Sequence, residues 1–234
     1  MKPGVNNLKR YFHEELEDVR SKLLLMGEKA IEMVDLSIRS FVDNDLEYAD
    51  AVIPKDAEVD ELEYAIDHEA IRYISLRAPV ASDLRLLTVA VKASHDLERV
   101  GDEATSIAKR SRRVLSKGKI PELLDIPTMG QITVEMLNGA LDCFVEEDVE
   151  KALSICERDE EIDRINRNNA AGFTALVRDG HADIDTVMEL IFVSKSIERI
   201  ADHATNIAEE VLYLLKAVSV RGNSTLRRGH DNLD

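Results

Sequence analysis

The chain is poor in the residues that break helices, build β-sheets or form disulfide frameworks. Its 234 residues include only 5 Pro, 10 Gly and 4% aromatic residues, whereas 44% are hydrophobic. This composition is typical of helical proteins and argues against a β-sandwich or barrel. The two cysteines, Cys143 and Cys156, occur in neither a CxxC nor a Cys/His ligand spacing. We therefore expect two buried small hydrophobic residues, with no disulfide framework and no thiolate zinc site.

Long apolar runs are also missing. The longest segment without Asp, Glu, Lys or Arg is ten residues, 168–177, and about 20 apolar residues are needed to span a bilayer. The N-terminal sequence MKPGVNNLKRYFHEELEDV has no apolar run after its basic residues, so we expect no signal peptide. These features predict a cytoplasmic protein with at most peripheral membrane association.

The charge balance is strongly acidic. The chain has 46 Asp and Glu against 30 Lys and Arg, a formal net charge of −16. Affinity for duplex nucleic acids comes mainly from Lys and Arg that neutralise phosphates, so we expect no nucleic-acid partner. Cations, basic surfaces and other helices are the partners that such a chain favours.

The sequence contains two copies of one unit. Residues 33–63 align without a gap to residues 136–166 at an offset of 103, and residues 97–109 align to residues 197–209 at an offset of 100. Helix-breaking residues lie between the copies, near 118–127. We predict a first repeat over 1–119, a second over 120–220 and a flexible, disordered tail over 221–234.

Apolar residues within each copy recur every three or four positions, which places them in one stripe along a helix. Such stripes begin at Leu16, Val59 and Leu86, and the third stripe repeats from Leu190. Turns are predicted at 43–45, 77–79 and 179–181, and Pro54 should kink or begin the second helix. The prediction is an all-α fold of two tandem three-helix bundles, with six long antiparallel helices.

Each third helix carries two carboxylates four residues apart, which lie on one helix face. Antiparallel pairing after a turn at 77–79 sets Glu98 level with about residue 57 of the second helix. The second half has the same arrangement, so each half collects four carboxylates that can share hard or borderline cations. Bound metal would relieve the repulsion among them. The predicted metal ligands are Asp56, Asp60, Glu98 and Asp102 in the first half and Asp159, Asp163, Glu198 and Asp202 in the second half.

Helix geometry predicts that these pairs lie far from the apolar stripe, so the sites should be open to solvent. No Glu-x-x-His occurs in the chain, which argues against a buried ferritin-like di-iron centre. Oxygen ligands accommodate Mg, Mn, Fe or Zn. Solvated acidic surface is the alternative interpretation.

Neighbouring side chains differ between the two halves. Possible partners of the carboxylates from outside the ligand set are Arg99, Arg199 and His203. On the second helix, Glu63 and Asp67 of the first half align with Asn166 and Ala170 of the second. The two sites should therefore differ in charge.

The sequence resembles the PhoU family over roughly residues 8–218. The resemblance rests on the twofold three-helix repeat, on the ExxxD motifs in LERVGDEATSIAK and IERIADHATNIAE, and on the RAPVASDLR turn at 77–85. It implies a cytoplasmic, usually homodimeric regulator without enzymatic activity that binds multinuclear metal clusters on its surface, on the eight carboxylates named above. It also implies negative regulation of the phosphate-starvation response, through contact with a sensor histidine kinase and with the ATPase of an ABC phosphate importer.

Three other functions fit parts of the sequence. The segment ASHDLER around His95 resembles the phosphoacceptor box of sensor kinases, but no Pro follows it and no Gly-rich nucleotide-binding segment occurs. Metals on four carboxylates can activate water, as in a hydrolase or oxidase, but no general base, nucleophile or oxyanion-binding loop stands out. The third alternative function is a metal-independent scaffold whose acidic residues only confer solubility.

Overall fold

The structure is a computed structural model that describes residues 5–117 and 122–216, with side chains from residue 14 onward. None of the helices in these ranges combines the length and apolar character needed to cross a membrane. Helices of the first half are α1 (Val5–Val42), α2 (Leu46–Val52), α3 (Asp56–Arg77) and α4 (Ala81–Leu115). Helices of the second half are α5 (Ile126–Glu146), α6 (Val149–Arg178) and α7 (Ile184–Lys216).

Each half is a bundle of three long helical segments. In the first half α1, α3 and α4 pack against one another, and in the second half α5, α6 and α7 do the same. A 3₁₀ turn at Ile53–Lys55 separates α2 from α3, because Pro54 has no N–H group to continue the α-helical bonding. The predicted all-α class with six long helices is confirmed, the second of them interrupted at this turn. The predicted tail at 221–234 lies outside the described residues.

The turn between the first two helical segments is built the same way in both halves. Asn44 and Glu147, which are 103 positions apart, both adopt the left-handed conformation, with φ of 54° and 56°. The next residue in each copy, Asp45 or Asp148, caps the following helix by accepting a backbone N–H within three residues. The repeat seen in the sequence is therefore also a repeat of local backbone geometry.

The core joins both halves because α4 and α7 lie side by side. Apolar residues from all seven helices form one buried cluster, which contains the predicted stripes of α1, α4 and α7 in full. Cys143 and Cys156 are buried, as expected. Burial raises the pKa of the Cys143 thiol to about 12, so this side chain is a thiol at neutral pH and behaves as a small hydrophobic residue.

Helices α1 and α5 approach closely at a glycine. A Cβ atom on Gly130 of α5 would lie 2.6 Å from Cδ1 and 2.9 Å from Cγ2 of Ile38 on α1. Ile38 is β-branched, so its χ1 has one strongly preferred value in a helix and the side chain cannot easily turn away. Any side chain at position 130 would push the two helices apart.

We expect Gly130→Val to lower the free energy of unfolding by about 1–3 kcal/mol, because it overpacks the contact with Ile38. Urea unfolding followed by circular dichroism measures the change. Gln131→Val is the matched control, since Gln131 is exposed on the same helix and receives the same β-branched side chain. Equal losses in the two variants would contradict the packing explanation.

Candidate functional site

The first candidate site lies where α3 crosses α4. Thr105 Oγ1 donates to Asp56 Oδ1 at 3.1 Å, and His95 Nδ1 lies 3.2 Å from Glu63 Oε1. These two contacts fix the register of the antiparallel pair. They set Glu98 between the levels of Asp60 and Glu63.

This register differs from the one predicted, in which Glu98 faced residue 57. The prediction placed the turn at 77–79, whereas Ala78 takes a left-handed φ of 47° and α4 does not begin until Ala81. The turn occupies residues 78–80, one residue later than predicted, so each residue of α4 faces a position about two residues further along α3. As a result Glu63, which the prediction left outside the ligand set, comes next to Glu98.

The carboxylates of the first half influence one another electrostatically. Burial is the main cause that raises the pKa of Asp60, and the charges of Asp56, Asp102 and Glu63 raise it further. Burial also raises the pKa of Glu98, again with a contribution from Asp102. The structure therefore brings the four predicted ligands into one cluster, with Glu63 as a fifth member.

Arg99 contacts this cluster, as expected. Its Nε lies 3.2 Å from Glu98 Oε2, and its Nη1 lies 3.1 Å from Asp102 Oδ2. Although the first distance is short, Glu98 Oε2 is buried and accepts no hydrogen bond of normal geometry from the described residues. The same holds for Oδ1 of Asp67, one turn after Glu63 on α3. Buried oxygens of this kind are rare, and a bound cation would satisfy them, so the residues present fit a metal site.

The second candidate site lies where α6 packs against α7. Burial, followed by the negative charges of Glu198, Asp159 and Asp163, raises the pKa of Asp202 to about 6. The four predicted ligands of this half are therefore near enough to influence one another, but among the described residues of this half no three acidic or imidazole side chains have ligand atoms within 4.8 Å of one another. Lys195 Nζ lies 2.6 Å from Glu198 Oε1 and 2.5 Å from its Oε2.

The second site is less open than helix geometry predicted. Glu198 is only 8% exposed, since α6 packs against α7 at this level. The prediction of a fully open site is wrong for this residue. It holds for Asp202, which is exposed as a residue although the packing of α6 against α7 partly desolvates its carboxylate.

Arg199 and His203 contact the other half of the protein. Arg199 Nη1 donates to Glu103 Oε1 of α4 at 3.1 Å. His203 Nδ1 lies 2.8 Å from Oδ1 of Asp96, a buried residue that also accepts from Asn206 at 3.2 Å. These side chains connect α7 to α4, and their contacts do not involve the predicted ligands.

Sequence reasoning missed three residues of the clusters: Glu63, His95 and Lys195. His95 and Lys195 occupy the same position of the repeat, 100 residues apart and three residues before the first carboxylate of each ExxxD motif. A helix places residues three apart on one face, so this spacing was a usable signal. The contact of Glu63 with His95 depends on the register of two helices and had no comparable signal.

Because the pKa of Asp202 is raised in the folded protein, we expect its ionisation to lower the free energy of unfolding at neutral pH. The unfolded chain releases this proton near pH 4, whereas the folded protein retains it up to about pH 6. The stability of the fold therefore falls as the pH rises from about 4 to about 6. We expect Asp202→Asn to be more stable than the wild type at pH 7.5 in EDTA, by at most about 1 kcal/mol because the side chain is exposed. The gain should vanish near pH 4. Urea unfolding at both pH values measures it.

The control for this test is Asp35→Asn, on the exposed surface of α1. It removes the same charge from a side chain outside both clusters and should give no gain in stability at either pH. A wild type that is as stable as Asp202→Asn at pH 7.5 would contradict repulsion within the second cluster.

The pair between Asp96 and His203 predicts a loss of stability. We expect His203→Ala to lower the free energy of unfolding by about 1–3 kcal/mol, because a buried carboxylate loses a hydrogen-bond partner. Arg199→Ala, which breaks the more exposed contact between the same helices, should cost less than about 1 kcal/mol. Urea unfolding measures the loss in both variants. Equal losses of unfolding free energy would contradict a larger contribution from the buried pair of Asp96 and His203.

Comparison with known proteins gives consistent results. The model of the PhoU domain matches residues 23–111 and 126–211, one match in each half. A phosphate-specific transport system accessory protein PhoU homolog of Pseudomonas aeruginosa is 35% identical over 217 residues, which cover 92% of this chain and 90% of the relative. The Escherichia coli K12 protein named phosphate-specific transport system accessory protein PhoU is 32% identical over 223 residues, which cover 95% and 90%.

Solved structures agree with these matches. The crystal structure of PhoU from Pseudomonas aeruginosa superposes with a TM-score of 0.85 at 37% identity, and the alignment covers 88% of this chain and 100% of that one. The phosphate transport system regulatory protein PhoU from Streptococcus pneumoniae gives a TM-score of 0.82 at 28% identity, with 89% and 99% covered. Fold, duplicated motif and sequence agree, and the chain belongs to the PhoU family.

Proposed function

We propose that the protein is a cytoplasmic accessory protein of a phosphate-specific transport system that negatively regulates phosphate uptake and the phosphate-starvation response without catalysing a reaction. Family membership over both halves supports this proposal, as do the names of relatives that align over most of their length. The observation that carries it is the recurrence of one carboxylate cluster at the same place in each repeat.

The clusters are proposed to hold divalent or trivalent metal ions. Their ligands would be Asp56, Asp60, Glu98 and Asp102 in one half, and Asp159, Asp163, Glu198 and Asp202 in the other. The raised pKa values of Asp60, Glu98 and Asp202 support this, because burial and, after it, the negative charge of neighbouring carboxylates oppose ionisation there. When bound, the metal supplies positive charge, and its remaining coordination positions can accept an oxygen ligand from a partner.

Regulation is proposed to act through protein contacts with a sensor histidine kinase and with the ATPase of a phosphate importer, in a protein that is itself a homodimer. The net charge of −16 favours encounter with basic surfaces. Helix α3 also exposes apolar side chains on its outer face: Tyr64 is 74% and Ile71 65% exposed, seven residues apart. Exposed aromatic and aliphatic side chains on one helix face are suited to contact with a partner helix.

The test uses a bacterium that lacks its own PhoU-family protein and carries a phosphate-repressible reporter. We expect the full chain to restore repression in phosphate-rich medium. The variant Glu98→Ala/Asp102→Ala/Glu198→Ala/Asp202→Ala should lose most of this repression and lose stoichiometric metal, which elemental analysis of the purified protein measures. Circular dichroism confirms that the variant is folded.

A charge-matched control changes four exposed acids outside the clusters: Asp35→Ala, Asp50→Ala, Glu146→Ala and Asp185→Ala. It removes the same four charges and should keep both metal and repression. A cluster variant that represses normally would leave a metal-independent scaffold as the function. A wild-type chain that fails to repress would overturn the regulatory role.

A further inference from the structure

The two repeats place different side chains at equivalent positions of their carboxylate clusters. At the offset of 100, His95 corresponds to Lys195 and Glu98 to Glu198; at the offset of 103, Glu63 corresponds to Asn166. The first half therefore has an imidazole and an extra carboxylate. The second half has an ammonium group and a neutral amide.

In the first half these side chains form a chelating group. His95 Nδ1 lies 3.2 Å from Glu63 Oε1, and Glu63, His95 and Glu98 each offer one ligand atom within 4.8 Å of the others. Two ligands bound to one tetrahedral zinc at 2.0–2.2 Å are about 3.4 Å apart. The pair on α3 and α4 is thus already close to the required separation, and Glu98 needs only a small side-chain movement.

In the second half an ammonium group occupies the corresponding place. Lys195 Nζ lies within 2.6 Å of both carboxylate oxygens of Glu198. Oδ1 of Asn166 accepts a hydrogen bond from Ser194 Oγ at 2.9 Å, so this amide is engaged within the bundle. Lys195 thus places a positive charge beside Glu198 at the repeat position where the first half has His95.

We propose that Glu63, His95 and Glu98 bind a borderline divalent cation of the Zn²⁺ class, whereas Lys195 neutralises the equivalent carboxylate of the second half and leaves that half with oxygen ligands only. This inference deepens the proposed metal-dependent function and rests on it. The two clusters are then different sites: one contains nitrogen and selects borderline metals, and the other suits hard cations.

The buried Oε2 atom of Glu98 supports this assignment independently. It accepts no hydrogen bond of normal geometry in the described part of the chain, and Arg99 satisfies it only as an ion pair at 3.2 Å. A cation held by Oε1 or Oε2 would provide the missing contact. The equivalent atom of the second half, Glu198 Oε2, is also buried without a hydrogen bond of normal geometry from the described residues, and Lys195 contacts it as an ion pair.

The first experiment removes the imidazole without changing the charge of a carboxylate. The metal-free full chain is titrated by calorimetry with Zn²⁺ and separately with Mg²⁺. We expect His95→Ala to weaken Zn²⁺ binding at one site by roughly 10–100-fold or more, since even a residue that only supports a ligand contributes that much. Mg²⁺ binding should not change. The matched control is His68→Ala, which removes an exposed imidazole that lies on α3 and outside the proposed site. This variant should bind Zn²⁺ normally.

The second experiment exchanges the two arrangements. Asn166→Glu/Lys195→His should create a second Zn²⁺ site, and His95→Lys should abolish the first. Titration with Co²⁺ gives a readout independent of affinity, because its visible absorption depends on geometry and ligand type. His95→Ala should alter the spectrum of the wild type, and the double variant should gain the same bands.

Unchanged Zn²⁺ affinity and Co²⁺ spectrum in His95→Ala would overturn this inference, as would a wild type that binds no Zn²⁺. The carboxylate variant used above separates that failure from failure of the proposed metal function. If it loses metal while His95→Ala does not, the clusters bind metal through oxygen alone. Repression in the reporter strain tests the regulatory role separately.

Discussion

Helices α4 and α7 each belong to one three-helix bundle and also pack against each other, so their contact fixes the position of every other element. Small side chains make this possible: Ala104, Ala108, Ala201, Ala204 and Ala208 are all fully buried. Small residues let helix backbones approach closely. Both ExxxD motifs lie on these two helices, whose other faces are held in the shared core. The clusters are therefore built on the most constrained part of the protein, which is where a site with defined geometry needs to be.

The sequence was sufficient to predict the helices and the core. A helix has 3.6 residues per turn, so an apolar spacing of three and four leaves little freedom about which residues are buried. Leu16, Leu97 and Leu190 are buried as predicted, and the turn motifs recur at Asp45 and Asp148. The presence of one acidic cluster in each half was also predictable, because each motif repeats at a constant offset.

Details of the clusters were not predictable, since they depend on the relative position of two helices. One extra turn residue shifts a helix by 1.5 Å along its neighbour and rotates the facing residues. The turn that begins at the left-handed Ala78 lies one residue later than predicted, and this shift brings Glu63 next to Glu98. The contacts that Arg199 and His203 make with α4 could not be predicted for a different reason. Periodicity places a residue on a face of its own helix, but it does not show that the facing helix comes from the other repeat.

The carboxylate clusters of the two halves have different side chains beside them, His95 in the first and Lys195 in the second. A carboxylate cluster between packed helices needs positive charge, because desolvation and mutual repulsion both oppose its ionisation. Lys195 places positive charge beside Glu198 in the second half, and Arg99 does the same beside Glu98 in the first. The first half differs in the imidazole of His95, which lies next to Glu63 and adds a nitrogen ligand to the carboxylates. If both clusters bind metal as proposed, metal supply can change the state of either half, and the two halves then differ in the class of cation that each selects.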